Sequence, residues 1–315
     1  MKIIITTTAT FIKAIEESDL YNELAKHGIN VILCPDFDPP FTFDTQKVIG
    51  IVAGHNLKGL MPRVGPGILK QFPNLKVVSP FGIGTNHLDI AGLEEAGITV
   101  KKLPHLSKRT VAELAITFLF VLARRIVPMA MDMKNELWQR LDAVQLSGKY
   151  LGIIGLGNIG KEVAKMARGL DMRVLAYDNS YDESFLSKYG IEKSSLKDIF
   201  LNSDAITVHT PLTDETKNLI DNQAFSLMKK GVLIINTSRG SVVNEEALLG
   251  ALESGRVGGA ALDVFSVEPP FNNEVLKKLI GYPNVITTPH VGAFTKEARY
   301  AIAKEIYEGV ARLLN

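Results

Sequence analysis

The run Leu151-Gly-Ile-Ile-Gly-Leu-Gly-Asn-Ile-Gly160 constrains this chain more than any other feature. It is a short apolar stretch that ends in Gly155, Gly157 and Gly160 and opens onto an amphipathic segment, Lys161 to Leu170. A second apolar run, starting at Val174, closes on an acid, Asp178. Strand, tight turn, helix, strand and acid in this order make a dinucleotide-binding unit. Gly155 allows the turn. Gly157 lets the backbone approach a pyrophosphate, because no Cβ stands in the way. Gly160 lets helix and strand pack closely. Backbone N–H groups at the helix N-terminus then meet the phosphate charge. A glycine-rich turn alone also serves packing; here both flanks and the acid agree. Asp178 favours NAD over NADP, since a carboxylate accepts from a ribose 2′-OH and repels a 2′-phosphate. The residues that follow, Asn179, Ser180 and Tyr181, supply no cation. About half of the chain precedes this unit, so another folded part comes before it.

A length of 315 residues suggests two domains with separate cores. Before the fingerprint, Lys2–Thr6, Val31–Leu33, Val48–Ala53, Lys76–Ser79 and Thr99–Lys101 read as strands. Ile12–His27, Pro66–Phe72 and Ile90–Ala96 read as helices between them. A long apolar helix is expected from Lys108, stopping at Pro128. After the fingerprint, strands are expected at Ala205–His209, Val232–Asn236, Gly259–Asp263 and Val285–Thr288. Thr295–Leu313 reads as a last helix returning to the first domain. The pattern predicts an α/β protein of two Rossmann-like domains with parallel sheets, one flavodoxin-like and one Rossmann. Residues 1–100 plus 294–315 would form a discontinuous substrate domain, and 101–293 the NAD-binding domain. The active site is expected in the cleft between the two.

The remaining composition narrows the function classes. A net charge of +1 gives no reason to expect a nucleic-acid partner. No apolar stretch reaches membrane-spanning length, and the N-terminal Met1-Lys-Ile-Ile-Ile-Thr is too short for a signal-peptide core. Cys34 is the only cysteine, which suits a reducing cytoplasm. The six histidines show no HExxH or His-Cys spacing, so no metal is expected. Trp138 is expected to pack within the connector that follows the long helix, with an interface role as the alternative.

Chemistry gathers at strand ends in the C-terminal half. Arg239 follows the strand Val232–Asn236, Glu268 follows the strand ending at Asp263, and His290 follows the strand ending at Thr288. Ligands of open α/β sheets bind beyond the carboxyl ends of strands, so these three arrive at one rim. Hydride transfer from a hydroxy acid needs these residue types. An Arg fork holds a carboxylate bidentately. A His moves the hydroxyl proton. A carboxylate orients the imidazole and stabilises its cation.

The segments GLGNIG, NTSRGSVVNEEAL, ALDVFSVEPP and TPHVGAFT, with FGIGTNHLDI and TVAELAI, resemble the D-isomer-specific 2-hydroxyacid dehydrogenases over nearly the whole chain. Within that family the likeness is to short phosphoglycerate-dehydrogenase-like members. The resemblance implies NAD as cofactor and a homodimer. It implies that Arg239 binds the substrate carboxylate near the nicotinamide, and that His290, paired with Glu268, donates the proton in keto-acid reduction. Asn158 and Ile159 would cover the pyrophosphate beside Gly155, Gly157 and Gly160, and Asp178 would hold the adenosine ribose. His209, Thr210, Pro211, Thr237 and Ser238 would line the cofactor crevice, with Thr110 and Gly292 also on the cofactor side. Asp263 would meet the carboxamide. Gly82, Ile83 and Gly84 would present backbone N–H groups to the substrate. Among substrates the resemblance puts 3-phosphoglycerate first, with glyoxylate or hydroxypyruvate next. A non-catalytic NAD-sensing corepressor and formate or phosphonate oxidation are further readings. Two departures bear on the substrate. Phe81 stands where many members have Arg, and the loop Gly54-His-Asn-Leu-Lys58 lacks the Arg that could meet a phosphate, leaving Lys58 or His55 without a bidentate fork.

Overall fold

The computed structural model describes residues 2–314 except 38, 57, 59, 83, 102, 104 and 105, with the backbone alone for 310–314. The chain divides into two compact units, Met1–Ser107 with Ala293–Asn315, and Lys108–Gly292.

The first unit runs β1 (Lys2–Thr6), α1 (Ala9–Glu16), α2 (Leu20–Lys26), β2 (Ile29–Leu33), β3 (Val48–Ala53), β4 (Val77–Pro80), α3 (Ile90–Glu95) and β5 (Thr99–Val100). Its strands are all parallel, in the order β2-β1-β3-β4-β5. All six residues of β3 are buried, as a parallel strand covered on both faces requires. The helix expected over Ile12–His27 is two helices. The Ser18 hydroxyl donates back to the carbonyls of Ala14 (2.9 Å) and Ile15 (3.2 Å) and closes α1. Apolar spacing continues across the break, so periodicity does not register it. Pro66–Lys70 is a 3₁₀ turn.

The second unit runs α4 (Lys108–Ala123), α5 (Ile126–Lys134), β6 (Tyr150–Ile154), α6 (Asn158–Gly169), β7 (Arg173–Tyr177), α7 (Glu183–Tyr189), β8 (Ile191–Lys193), α8 (Leu196–Asn202), β9 (Ala205–Val208), α9 (Asn222–Leu227), β10 (Val232–Asn236), α10 (Glu245–Glu253), β11 (Val257–Leu262), α11 (Glu274–Gly281) and β12 (Val285–Thr287). The strands are parallel, ordered β12-β11-β10-β9-β6-β7-β8. The order reverses between β6 and β9, the switch point at which such sheets bind ligands. Ile153 joins the core on one face with Ala112, Val163 and Ala167, and Ile154 the core on the other with Ile199, Phe225 and Leu248.

The long helix does not stop at Pro128 as expected. It ends at Ala123, Arg125 turns the chain in a left-handed conformation (φ 49°), and α5 carries Pro128 in its first turn. A first-turn proline costs nothing in hydrogen bonds, because those N–H groups have no intrahelical acceptor. Among the described residues no single helix is long and apolar enough to cross a membrane; α4 and α5 together would be, but they meet at 63°, and α4 buries Ala112, Ala115, Phe118 and Leu119 in the core. The last helix, α12 (Lys296–Leu314), belongs to the first unit, where Ile302, Ala303 and Ile306 share a core with Ile4, Phe11 and Leu24.

Candidate active site on the second unit

The turn after β6 is built by steric necessity. Gly155 has φ 95°, and a Cβ there would meet the His209 carbonyl carbon at 2.7 Å. A Cβ on Gly160 would stand 2.0 Å from the Gly155 oxygen, so any side chain would push α6 off the strand. Gly157, which caps α6, has nothing within 4 Å of its Cβ position. Open space thus lies at the helix N-terminus, where N–H groups and the dipole favour an anion; Asn158 and Ile159 open that first turn. Asp178 braces the turn. One carboxylate oxygen accepts from the Leu156 N–H at 2.6 Å and the other from Ser180 N–H at 3.1 Å. Each oxygen keeps a lone pair for a ribose hydroxyl.

Across the switch point, β9 leads into His209, Thr210 and Pro211. His209 N–H donates to Ile154 O at 2.7 Å, and its Nε2 lies 2.9 Å from the Thr207 hydroxyl. Burial pushes its pKa down to about 3, so the ring is neutral. Among the described residues, His209 Nδ1, Thr210 Oγ1 and Thr237 Oγ1 are buried with no protein partner. Buried polar atoms of this kind are rare without a ligand or water. Gathered after β9 and β10, they fit a polar cofactor lying along this edge.

Arg239 is held by a side chain that sequence reasoning passed over. Asn236, buried at the end of β10, accepts from the Ser238 N–H (3.0 Å) and hydroxyl (2.9 Å) through Oδ1 and donates to Arg239 O (2.9 Å) through Nδ2. Arg239 is consequently extended, with φ −140° and ψ 136°. Its Nη1 donates to Ser238 O at 2.6 Å. Burial lowers the guanidinium pKa and Glu268 opposes that shift; the group stays charged. Gly240 lets the turn touch the next rim loop, since a Cβ there would lie 1.9 Å from the Phe265 carbonyl carbon. In that loop Ser266 donates its N–H to Glu245 at 2.7 Å and its hydroxyl to the same carboxylate. Burial, with Glu268 adding to it, raises the Glu245 pKa. The sequence signal for Glu245 is only its place in the first turn of α10.

Glu268 accepts from the Phe265 N–H at 3.1 Å through Oε1 and meets His290 Nδ1 at 2.8 Å through Oε2. His290 is left-handed (φ 54°), a costly conformation for a residue with a side chain. Its N–H is bonded to Asp263 O (2.9 Å) and Thr288 O (3.0 Å). The buried Asp263 carboxylate accepts from Val291 N–H (2.8 Å), Gly292 N–H (2.7 Å) and the Thr288 hydroxyl. Burial raises its pKa and these bonds oppose the shift. Asp263 therefore organises the turn that carries His290. Thr110 lies half-buried in the first turn of α4. Gly82 (φ 148°) and Gly84 follow β4 in the first unit, and Ile83 lies outside the described residues.

A glycine cradle at the switch point, with a guanidinium and a carboxylate–imidazole pair at neighbouring strand ends, defines a dinucleotide-dependent oxidoreductase domain. Residues 116–292 match the family model described as D-isomer specific 2-hydroxyacid dehydrogenase, NAD binding domain. The chain is 40% identical over 254 residues to hydroxypyruvate reductase of Thermotoga maritima, covering 80% of this chain and 82% of that one. It is 40% identical over 250 residues to D-3-phosphoglycerate dehydrogenase of Bacillus subtilis, covering 79% of this chain but only 47% of that enzyme. The fold superposes on D-lactate dehydrogenase from Aquifex aeolicus, solved with NAD and lactic acid, with a TM-score of 0.83 and 27% identity, covering 99% and 95% of the two chains. This chain belongs to the D-isomer specific 2-hydroxyacid dehydrogenase family, and NAD is its cofactor.

Proposed function

We propose that the chain interconverts a 2-keto acid and its D-2-hydroxy acid. The observation that carries this reading is the 2.8 Å contact between His290 and Glu268 on a rim that also holds the half-buried Arg239. Bound NADH supplies the hydride. Arg239 takes the substrate carboxylate as a planar fork. His290 gives the carbonyl oxygen its proton in reduction and takes it back in oxidation, so that hydroxy acid and NAD⁺ balance keto acid, NADH and a proton. Glu268 aims the ring through Nδ1 and stabilises its charged form. Gly157, Asn158 and Ile159 receive the pyrophosphate, Asp178 the adenosine ribose, and Thr210, Pro211, Thr237 and Ser238 the remaining edge of the cofactor. The test is a panel of glyoxylate, hydroxypyruvate and pyruvate with NADH or NADPH, followed by loss of reduced-nicotinamide absorbance. Turnover is expected with NADH, at a kcat/KM about tenfold or more above NADPH, because the braced Asp178 repels a 2′-phosphate. No reduction of any keto acid would overturn the reading.

The same reading gives a cytoplasmic homodimer. Trp138 does not pack in the connector; it is 77% exposed. Ile126, Met131, Met133 and Leu137 near it in sequence are each more than 40% exposed, and apolar surface of this kind marks association sites. A second copy of the chain is the proposed occupant. Light scattering behind gel filtration should give a dimer, and the double variant Met131→Ser, Trp138→Ser a monomer that still binds NADH. A monomeric wild-type protein would remove the proposal.

A further inference from the structure

The carboxylate–imidazole pair of the reading above, on which this inference rests, depends on a loop. Glu268 lies in the stretch that joins β11 to α11. Val264 and Phe265 are buried, but Ser266 is exposed and Val267 is 52% exposed. The chain thus leaves the core just before Glu268, where loops move most easily. The bond from the Phe265 N–H to Glu268 Oε1, at 3.1 Å, ties the carboxylate only to its own loop. The loop also packs tightly on Gly240, whose Cβ position is 2.2 Å from the Ser266 nitrogen. Such packing keeps the loop from moving inward. It does not keep the loop from lifting away.

Glu245 supplies the missing restraint. It reaches from the first turn of α10 to the loop and gives one oxygen to each donor of Ser266. Oε1 accepts the N–H at 2.7 Å, and Oε2 accepts the hydroxyl. An acid in a first turn ordinarily serves the helix dipole from the surface, and Glu246, the next residue, is exposed as that role requires. Glu245 is half-buried instead. Burial and the like charge of Glu268 both raise its pKa, and the two bonds from Ser266 oppose the shift. A carboxylate kept here against burial and a like charge is kept for those bonds. We propose that Glu245 is a positioning residue for the reaction: by gripping Ser266 it fixes the loop from which Glu268 meets His290.

The experiment measures kcat and KM with NADH and a 2-keto acid that the wild type reduces, with thermal unfolding as the check on folding. The variants are Glu245→Ala, Glu245→Gln, Glu245→Asp, Glu268→Gln and the double variant Glu245→Ala, Glu268→Gln. Glu245→Ala should lower kcat by about tenfold or more, since a misplacement of ~1 Å can cost about 10²-fold, and should leave KM for NADH near wild type. Glu245→Gln keeps the length and an oxygen for the Ser266 N–H, and should restore most of kcat. Glu245→Asp keeps the charge but falls one methylene short, and should not. Once Glu268 is replaced, Glu245→Ala should cost little more, because a positioning residue loses its effect with the group it positions. Wild-type kcat in a folded Glu245→Ala, recovery by Asp and not by Gln, or an undiminished cost in the double variant would overturn this inference and leave the dehydrogenase reading standing. If Glu245→Ala does not fold, the Gln and Asp variants decide. Wild-type kcat in Glu268→Gln would overturn the role of the Glu268–His290 pair, and this inference with it.

Discussion

Replacing His290 by asparagine is expected to lower keto-acid reduction by about 10²–10⁴-fold, the usual worth of a positioned proton donor, while NADH still binds. The choice of asparagine follows from the backbone. His290 sits at φ 54°, where Asn is among the few residues tolerated and Ala adds strain of its own. His290→Asn thus removes the ring and keeps the turn, and His290→Ala measures ring and turn together. NADH affinity, read by nicotinamide fluorescence, should stay near wild type in the Asn variant, because in the proposed reading Gly155–Gly160 and Asp178 would hold the cofactor from the other end of the sheet. An Asn variant with full activity would place the proton on another group.

The expected loss is large because so much of the second unit fixes that one ring. Three donors converge on the Asp263 carboxylate, two of them N–H groups on the residues just after His290. Glu268 is itself pinned by the Phe265 N–H. Phe265 in turn lies against Gly240, the residue after Arg239. The guanidinium and the imidazole therefore keep their spacing through backbone contacts between neighbouring rim loops. Pre-organisation of this kind spares the reaction any rearrangement at the moment of charge transfer.

What the sequence made legible has a common physical cause. Gly155, Gly157 and Gly160 can be read because their spacing between a strand and a helix is fixed by the turn itself: Gly155 takes φ 95° and Gly160 leaves 2.0 Å between its Cβ position and the Gly155 oxygen. The strands can be read because burial on both faces leaves uninterrupted apolar runs such as Val48–Ala53. Arg239, Glu268 and His290 stand out because polar side chains directly after such runs are placed at the sheet rim by topology alone. Glu245 and the bracing role of Asp263 were not legible, since their partners lie 21 to 29 residues away and meet them only when the loops come together. The break at Ser18 and the left-handed Arg125 escape for the opposite reason: each is a local backbone event inside a continuous apolar period. Trp138 shows a third limit. An aromatic residue in sequence carries no sign of whether it faces a core or solvent, and here it faces solvent.

Arg239→Lys is expected to cost about 10–100-fold in kcat/KM although the formal charge is kept. The guanidinium donates one N–H to Ser238 O, and its planar fork presents parallel N–H groups that match a carboxylate. An ammonium reaching the same place makes one charged hydrogen bond where the fork makes two. Losing one such bond is worth about 1.5–3 kcal/mol, which converts to that range of rate. Burial adds to the loss. It already lowers the pKa of the guanidinium, and an ammonium shifts more readily in a buried site, so part of the Lys variant would be uncharged. Both KM and kcat should suffer, because the same contact holds the bound acid and the transition state. Steady-state kinetics with a 2-keto acid and NADH would check this, with thermal unfolding to show that the Asn236 turn is intact. Wild-type kinetics in a folded Lys variant would mean that the carboxylate binds elsewhere on the chain.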